Sequence, residues 1–139
     1  MTKKIISIGS HLFDVEVADT DKERTLGLMH RKNLGPKQGM MFIMKNEPAF
    51  FHMQNTEVPL DILFFNDMRK VTKIDQMEPH SGKSKCLLPT SYVVELPMGT
   101  CEELGIKSGD DMKVYANSEK KPSLRVERLL RRIINEVMR

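Results

Sequence analysis

Tryptophan is absent, tyrosine and cysteine each occur twice, and aromatic residues make up only 6% of the 139 positions. These scarcities narrow the chemistry. Cys86 and Cys101 share no close spacing with each other or with a histidine, so no zinc pattern is present and no metal site is expected. They read as two idle or buried thiols rather than a disulfide. No serine or cysteine sits in a nucleophile elbow, and no glycine-rich loop is placed to cradle phosphate. No catalytic residue and no cofactor are therefore implied. No apolar run approaches the roughly 18 residues that span a bilayer. The opening Met1-Thr-Lys-Lys-Ile-Ile-Ser-Ile-Gly9 is too short in its apolar part for a secretory signal, so the expectation is a cytoplasmic protein.

What is present fits one domain with a workable core. Net charge is +3, unevenly spread. Residues 118–139 hold seven basic and three acidic side chains, leaving fifteen basic against sixteen acidic elsewhere. The basic character belongs to the tail, and the body gives no reason to expect nucleic acid.

Short strands dominate the pattern. Phe13, Val15 and Val17 alternate with Asp14 and Glu16, and Gly9-Ser10 can turn a hairpin from Lys3–Ile8. Thr20 and Glu23 have capping-box spacing for a helix reaching about Met29. Further strands are expected at 40–44, 49–53, 60–65, 70–76, 91–96 and 112–116. A turn is expected at 45–48 and an exposed polar loop at 78–89. Thr100 and Glu103 repeat the capping-box spacing, with Gly105 placed to stop that helix. The expected architecture is mainly β: a single-domain β-sandwich or flattened barrel of seven or eight short strands with two short helices, plus a C-terminal amphipathic helix. The division is residues 1–117 as the β-rich domain and 118–139 as linker and basic helix.

In the tail, Val126, Leu129, Leu130, Ile133, Ile134 and Val137 follow helical spacing on one face, and Pro122 marks the start near Ser123. The stripe can dock on its own domain, or pair with a partner protein or a second copy. A membrane surface fits less well, because Glu127 and Glu136 share the polar side.

The chain resembles the prokaryotic "domain of unknown function" family numbered 192 from about Val15 to Met112. The residues that carry this are Val15-Glu-Val-Ala-Asp-Thr20, Glu23-Arg24, Gly27-Leu-Met29 and Arg31, then Gly39-Met-Met-Phe42. They continue with Phe51-His-Met-Gln-Asn-Thr56, Pro59-Leu-Asp-Ile62 and Tyr92-Val-Val-Glu-Leu-Pro97, then Gly99, Gly105-Ile106 and Gly109-Asp110. The resemblance implies a compact, mainly β sandwich-like domain and no established activity. It also implies that His52 and Gln54 stand where relatives usually carry tryptophan and lysine. Many relatives have an export signal, and the helical tail lies outside the resemblance.

Phe50 to Phe65 holds four of the six phenylalanines around the polar turn Gln54–Glu57. Asp61 lies alone in an apolar run, where a carboxylate is costly unless satisfied. It is expected to accept hydrogen bonds from backbone amides or from Asn55 and Thr56, or to face a ligand. Glu95 is a second lone acid in an apolar strand, which alternation could place on the wet face. Arg24 could pair with either acid. The methionines 40, 41, 44 and 53 with His30 and His52 invite a copper(I) reading, but methionine more often fills core gaps.

The resulting expectation is a non-enzymatic binding or assembly module. It would use a polar edge at 52–57 and the C-terminal helix for a protein partner or self-association. The candidate ligand-binding residues are His52, Gln54, Asn55, Asp61, Glu95 and Arg24, and the ligand could be a small molecule or sugar. The alternative is a small hydrolase or carbohydrate-processing enzyme with Asp61 and Glu95 as a carboxylate pair, which requires the two carboxyls to share one open site.

Overall fold

The computed structural model describes residues 1–117 and 124–137. Of the expected linker, 117–122, Asn117 ends a strand and the rest lies outside them. Seven strands form one sheet: β1 Lys3–Ile8, β2 His11–Ala18, β3 Gln38–His52, β4 Leu60–Phe65, β5 Val71–Met77, β6 Lys83–Pro97 and β7 Met112–Asn117. Their spatial order is β5-β4-β6-β3-β2-β1-β7. The described residues also form three helices: α1 Asp21–Leu26, α2 Thr100–Leu104 and α3 Leu124–Val137.

All ladders but one are antiparallel. β2 and β3 run parallel, and the chain between them carries α1, as a parallel connection requires. The sheet curls without closing. Near its open side the edges are tied by backbone bonds: the Val71 amide donates to the Asp110 carbonyl at 2.9 Å, and the Met112 amide to Arg69 at 2.8 Å.

Period-two alternation sorts the apolar side chains into two cores, one on each sheet face. Ile6, Ile8, Phe13, Val15, Met41, Leu63, Phe65, Val94 and Leu96 fill the concave face, closed by Cys101 and Ile106 around α2. Met40, Phe42, Leu60, Ile62, Phe64 and Val93 fill the other, covered by Leu28, Met53 and Val58. β4 is buried along its whole length. That is why its sequence reads as a continuous apolar run rather than an alternation.

The structure corrects four local expectations. The turn at 45–48 does not exist: β3 is one fifteen-residue strand. Pro48, which has no amide to give, sits where the β3–β6 register shifts on both sides of the Glu47–Thr90 pair. The expected loop at 78–89 becomes strand from Lys83 onward, because Ser84 and Cys86 are buried while Lys83 and Lys85 are exposed. α1 stops at Leu26 rather than about Met29, because Gly27 takes a positive φ of 48°. Its capping box is intact, with Glu23 N–H donating to Thr20 Oγ1 at 3.1 Å and Thr20 N–H to Glu23 Oε1 at 3.1 Å. The second capping box is not formed. Gly99 is the N-cap of α2, and the Thr100 hydroxyl donates to the Pro97 carbonyl at 2.6 Å.

α3 begins one residue after the expected start and packs near the beginning of β2. Ile134 and Val137 line a closed crevice with Ser10, His11, Leu12 and Lys37. Leu129 and Ile133 remain 53% and 38% exposed.

Candidate functional site

A pocket of about 400 Å³ opens on the face that carries Phe42 and Phe64. β3 supplies Phe42, Met44, Phe51 and His52, α1 and the turn after it supply Asp21, Arg24, Thr25 and residues 26–29, and β6 supplies Glu95. Two glycines allow close approaches around it. Gly39 lets β3 lie tightly on β6 beside the acid: a Cβ there would stand 2.3 Å from the Glu95 carbonyl oxygen. Gly27 turns the chain over the pocket, where a Cβ would sit 3.5 Å from the Phe42 ring.

Glu95 is the chemically distinctive group. It is 4% exposed, lines the pocket, and makes no side-chain hydrogen bond among the described residues. Burial pushes its carboxyl up to about 8, so it carries a proton at neutral pH. Its position follows from register. Glu95 pairs with Ile62 on β4 and Met40 on β3, and both belong to the pocket-side core.

Asp61 is one residue along β4 from Ile62 and therefore points to the opposite, concave face. It is 1% exposed there. Its Oδ1 accepts from the Gly99 amide at 3.1 Å and from Gln76 Nε2 at 3.3 Å, and its Oδ2 from the Cys101 amide at 2.9 Å. Two of the donors thus come from the start of α2 and one from Gln76 on β5, rather than from Asn55 or Thr56. A carboxylate satisfied by the first amides of a helix is a long-range cap. It also silences Cys101, whose thiol is pushed up to about 12 by burial and by the Asp61 charge. The structure therefore brings Asp61 and Glu95 to opposite sides of one sheet.

The remaining expected residues divide between rim and turn. Arg24 contacts neither Asp61 nor Glu95 in any recorded bond. Its Nη1 donates to the Ile43 carbonyl at 2.9 Å and its Nη2 to Asp21 at 2.7 Å, which ties α1 to β3. The Arg24 hydrogen bond holds the exposed Asp21 carboxyl below its ordinary value. His52 is exposed at the rim, and its Nδ1 accepts from the Gln54 amide at 3.1 Å. Gln54 and Asn55 are exposed in the following turn, where Asn55 adopts a φ of 58° that asparagine tolerates. Thr56 is buried, and its hydroxyl donates to the Gln54 carbonyl at 3.3 Å.

The aromatic walls were not legible as a site. Phe42 and Phe51 stand 5.1 Å apart at 81°, and Phe64 backs Phe51 at 6.0 Å and 79°. Only the alternation around Phe51 hinted that it faced inward; nothing local to Phe42 or Gly27 signalled the pocket. Among the described residues no cluster of three or more His, Cys, Asp or Glu could hold a metal ion. No described helix is long and apolar enough to cross a membrane.

Comparison with known proteins agrees with this architecture. The family model DUF192, described as "Uncharacterized ACR", matches residues 4–114. The UPF0127 protein PF1050 of Pyrococcus furiosus is 29% identical over 106 residues, covering 72% of this chain and 85% of that protein. A Sinorhizobium meliloti crystal structure, described as that of a candidate transcription regulator, superposes with a TM-score of 0.78 at 32% identity. It covers 81% of this chain and 93% of that one. A Novosphingobium aromaticivorans protein of unknown function superposes at 0.77 with 35% identity, covering 80% and 84%. With most of its length matched, this chain belongs to the uncharacterised DUF192 family.

Proposed function

We propose that this protein is a non-enzymatic small-molecule binding module whose ligand site is the Glu95 pocket. One observation carries the reading: a carboxyl on a residue 4% exposed, with no hydrogen bond or ion pair among the described residues, lines a cavity of about 400 Å³. Burying a polar group without a partner costs free energy. A ligand that bonds to Glu95 offsets that cost. Three other polar side chains around the cavity bond within the protein: Arg24 to Asp21 and Ile43, Thr56 to the Gln54 carbonyl, and His52 to the Gln54 amide. The polar edge at 52–57 then serves as the rim of this site rather than as a site of its own.

The hydrolase alternative draws no support from the geometry, since its two carboxyls lie on opposite faces and Asp61 is spent on amides. Assembly through α3 keeps one favourable observation, the exposure of Leu129 and Ile133.

A thermal-shift screen of metabolites against wild type and Thr25→Trp tests the binding reading. Thr25 is exposed at the pocket mouth, so the indole narrows the entrance without entering the core. Compounds that raise the wild-type Tm and leave the variant unmoved are expected. If every hit stabilises both proteins equally, the pocket is not the site.

A further inference from the structure

We propose that the Glu95 pocket takes a compact organic ammonium ion, held by charge pairing at its floor and by aromatic rings at its side. The inference rests on the binding reading above and names its ligand class. Three observations point the same way.

The first is the acid itself. Glu95 is 4% exposed and makes no side-chain hydrogen bond or ion pair among the described residues, and the guanidinium lining the same pocket, Arg24, is engaged by Asp21 and the Ile43 carbonyl. An opposite charge brought to within a few ångströms is the strongest compensation a buried carboxylate can receive. The second is the wall. Half-buried Phe51 and exposed Phe50 line the same pocket as Glu95, while the buried Phe42 packs edge to face with Phe51 at 81° and 5.1 Å. Ring faces attract ammonium groups, and aromatic rings with an acid are the arrangement that suits alkylated amines. The third is what the pocket lacks. One carboxyl cannot replace the six or more oxygen ligands of a calcium ion or the octahedral set of magnesium, and the described residues hold no cluster of metal-binding side chains. The cation that fits is carbon-bound and weakly hydrated.

The charged groups facing Glu95 from the surrounding elements are compatible. α1 contributes Asp21 and Arg24, joined at 2.7 Å, so the rim presents a neutralised pair rather than a free guanidinium. β3 contributes His52 at the exposed edge. Binding balances as the protonated Glu95 plus the ammonium giving the carboxylate–ammonium pair and one proton released to buffer. Affinity must therefore rise with pH until the free acid is itself ionised, at about 8. A neutral ligand accepting a hydrogen bond from protonated Glu95 would show the opposite trend.

The test is calorimetric titration of the full-length protein with four ammonium probes: tetramethylammonium, choline, butylamine and benzyltrimethylammonium. 3,3-Dimethylbutan-1-ol serves as the uncharged isostere of choline. Titrations run from pH 6.5 to 8.5 on wild type and Glu95→Gln, with His52→Gln as the control for histidine titration. The expected result is binding of at least one ammonium, strengthening severalfold to tenfold per pH unit below 8, with proton release and at least tenfold loss in Glu95→Gln. The uncharged isostere is expected to bind at least tenfold more weakly than choline. Equal binding of the isostere, undiminished binding by Glu95→Gln, or weakening with rising pH would overturn the ammonium class while leaving the pocket reading intact. Binding by none of the four probes would also overturn it. A metabolite screen in which no hit is lost in Thr25→Trp is the separate result that removes the pocket itself.

Discussion

Replacing Glu95 by glutamine keeps the shape and removes the ionisation, and its effect on stability can be worked out in sign and size. Glutamate titrates at 4.5 in an ordinary setting and at about 8 in the folded protein. Between those values the folded state holds a proton that the unfolded state has lost, so wild-type stability must fall as pH rises. Each tenfold change in proton affinity is worth about 1.4 kcal/mol. The cost is absent below pH 4.5, reaches about 3 kcal/mol at pH 7, and levels off near 5 kcal/mol above pH 8. Glu95→Gln carries none of this dependence. Its amide loses no proton, though an unsatisfied amide adds a pH-independent cost of about 1–3 kcal/mol. The difference between the two proteins therefore grows by about 1.4 kcal/mol per pH unit from 5 to 8, whatever its offset. Urea denaturation at five pH values measures it directly, because every other titrating group cancels in the difference. Two parallel stability curves would refute the reasoning and show Glu95 ionised or paired in the folded state.

Asp61→Ala strands the Gly99 and Cys101 amides, so a loss of roughly 3 kcal/mol is expected. The same variant should expose Cys101 to thiol reagents at least tenfold faster in a colorimetric labelling assay, while ligand binding at Glu95 stays unchanged. Gly39→Ala drives a methyl to 2.3 Å from the Glu95 carbonyl oxygen and is expected to cost about 2–4 kcal/mol by denaturant titration. A chain ending at Asn117 removes α3, whose half-buried Ile134 and Val137 line the crevice on the body, so a drop of about 2 kcal/mol is expected. Light scattering on both lengths reads assembly in the same experiment: equal monomer masses would remove the self-association role of Leu129 and Ile133.

Local patterns carried much of this fold into view, and long-range cover carried the rest. The β1–β2 hairpin, the Thr20 capping box and the Gly105 stop are set by residues within a few positions of each other, and each is visible in sequence. The long β3–β6 ribbon was hidden because its prolines, Pro48 and Pro89, look like strand breakers. Only the bulged register around Glu47 and Thr90 shows how the ladder absorbs them. The Lys83–Cys86 segment has the correct alternation, but serine and cysteine are too weakly apolar to announce a strand. Asp61 and Glu95 both stood out as single acids in apolar runs. Sequence could not tell them apart, because the distinction is which face each takes in a sheet with both faces covered. Register answers it: a shift of one residue between β4 and β6 would put both acids on the same face. The pocket itself was invisible, since its walls come from α1, β3 and β6, which are distant in sequence.

The most direct measurement of the central claim is a carbon-13 NMR titration of the Glu95 side-chain carboxyl, free and with saturating tetramethylammonium or the best probe from the calorimetric series. The account predicts a midpoint near 8 in the free protein and a clear fall when the probe is bound. A midpoint near 4.5 in the free protein, or one that the probe leaves unmoved, would contradict it.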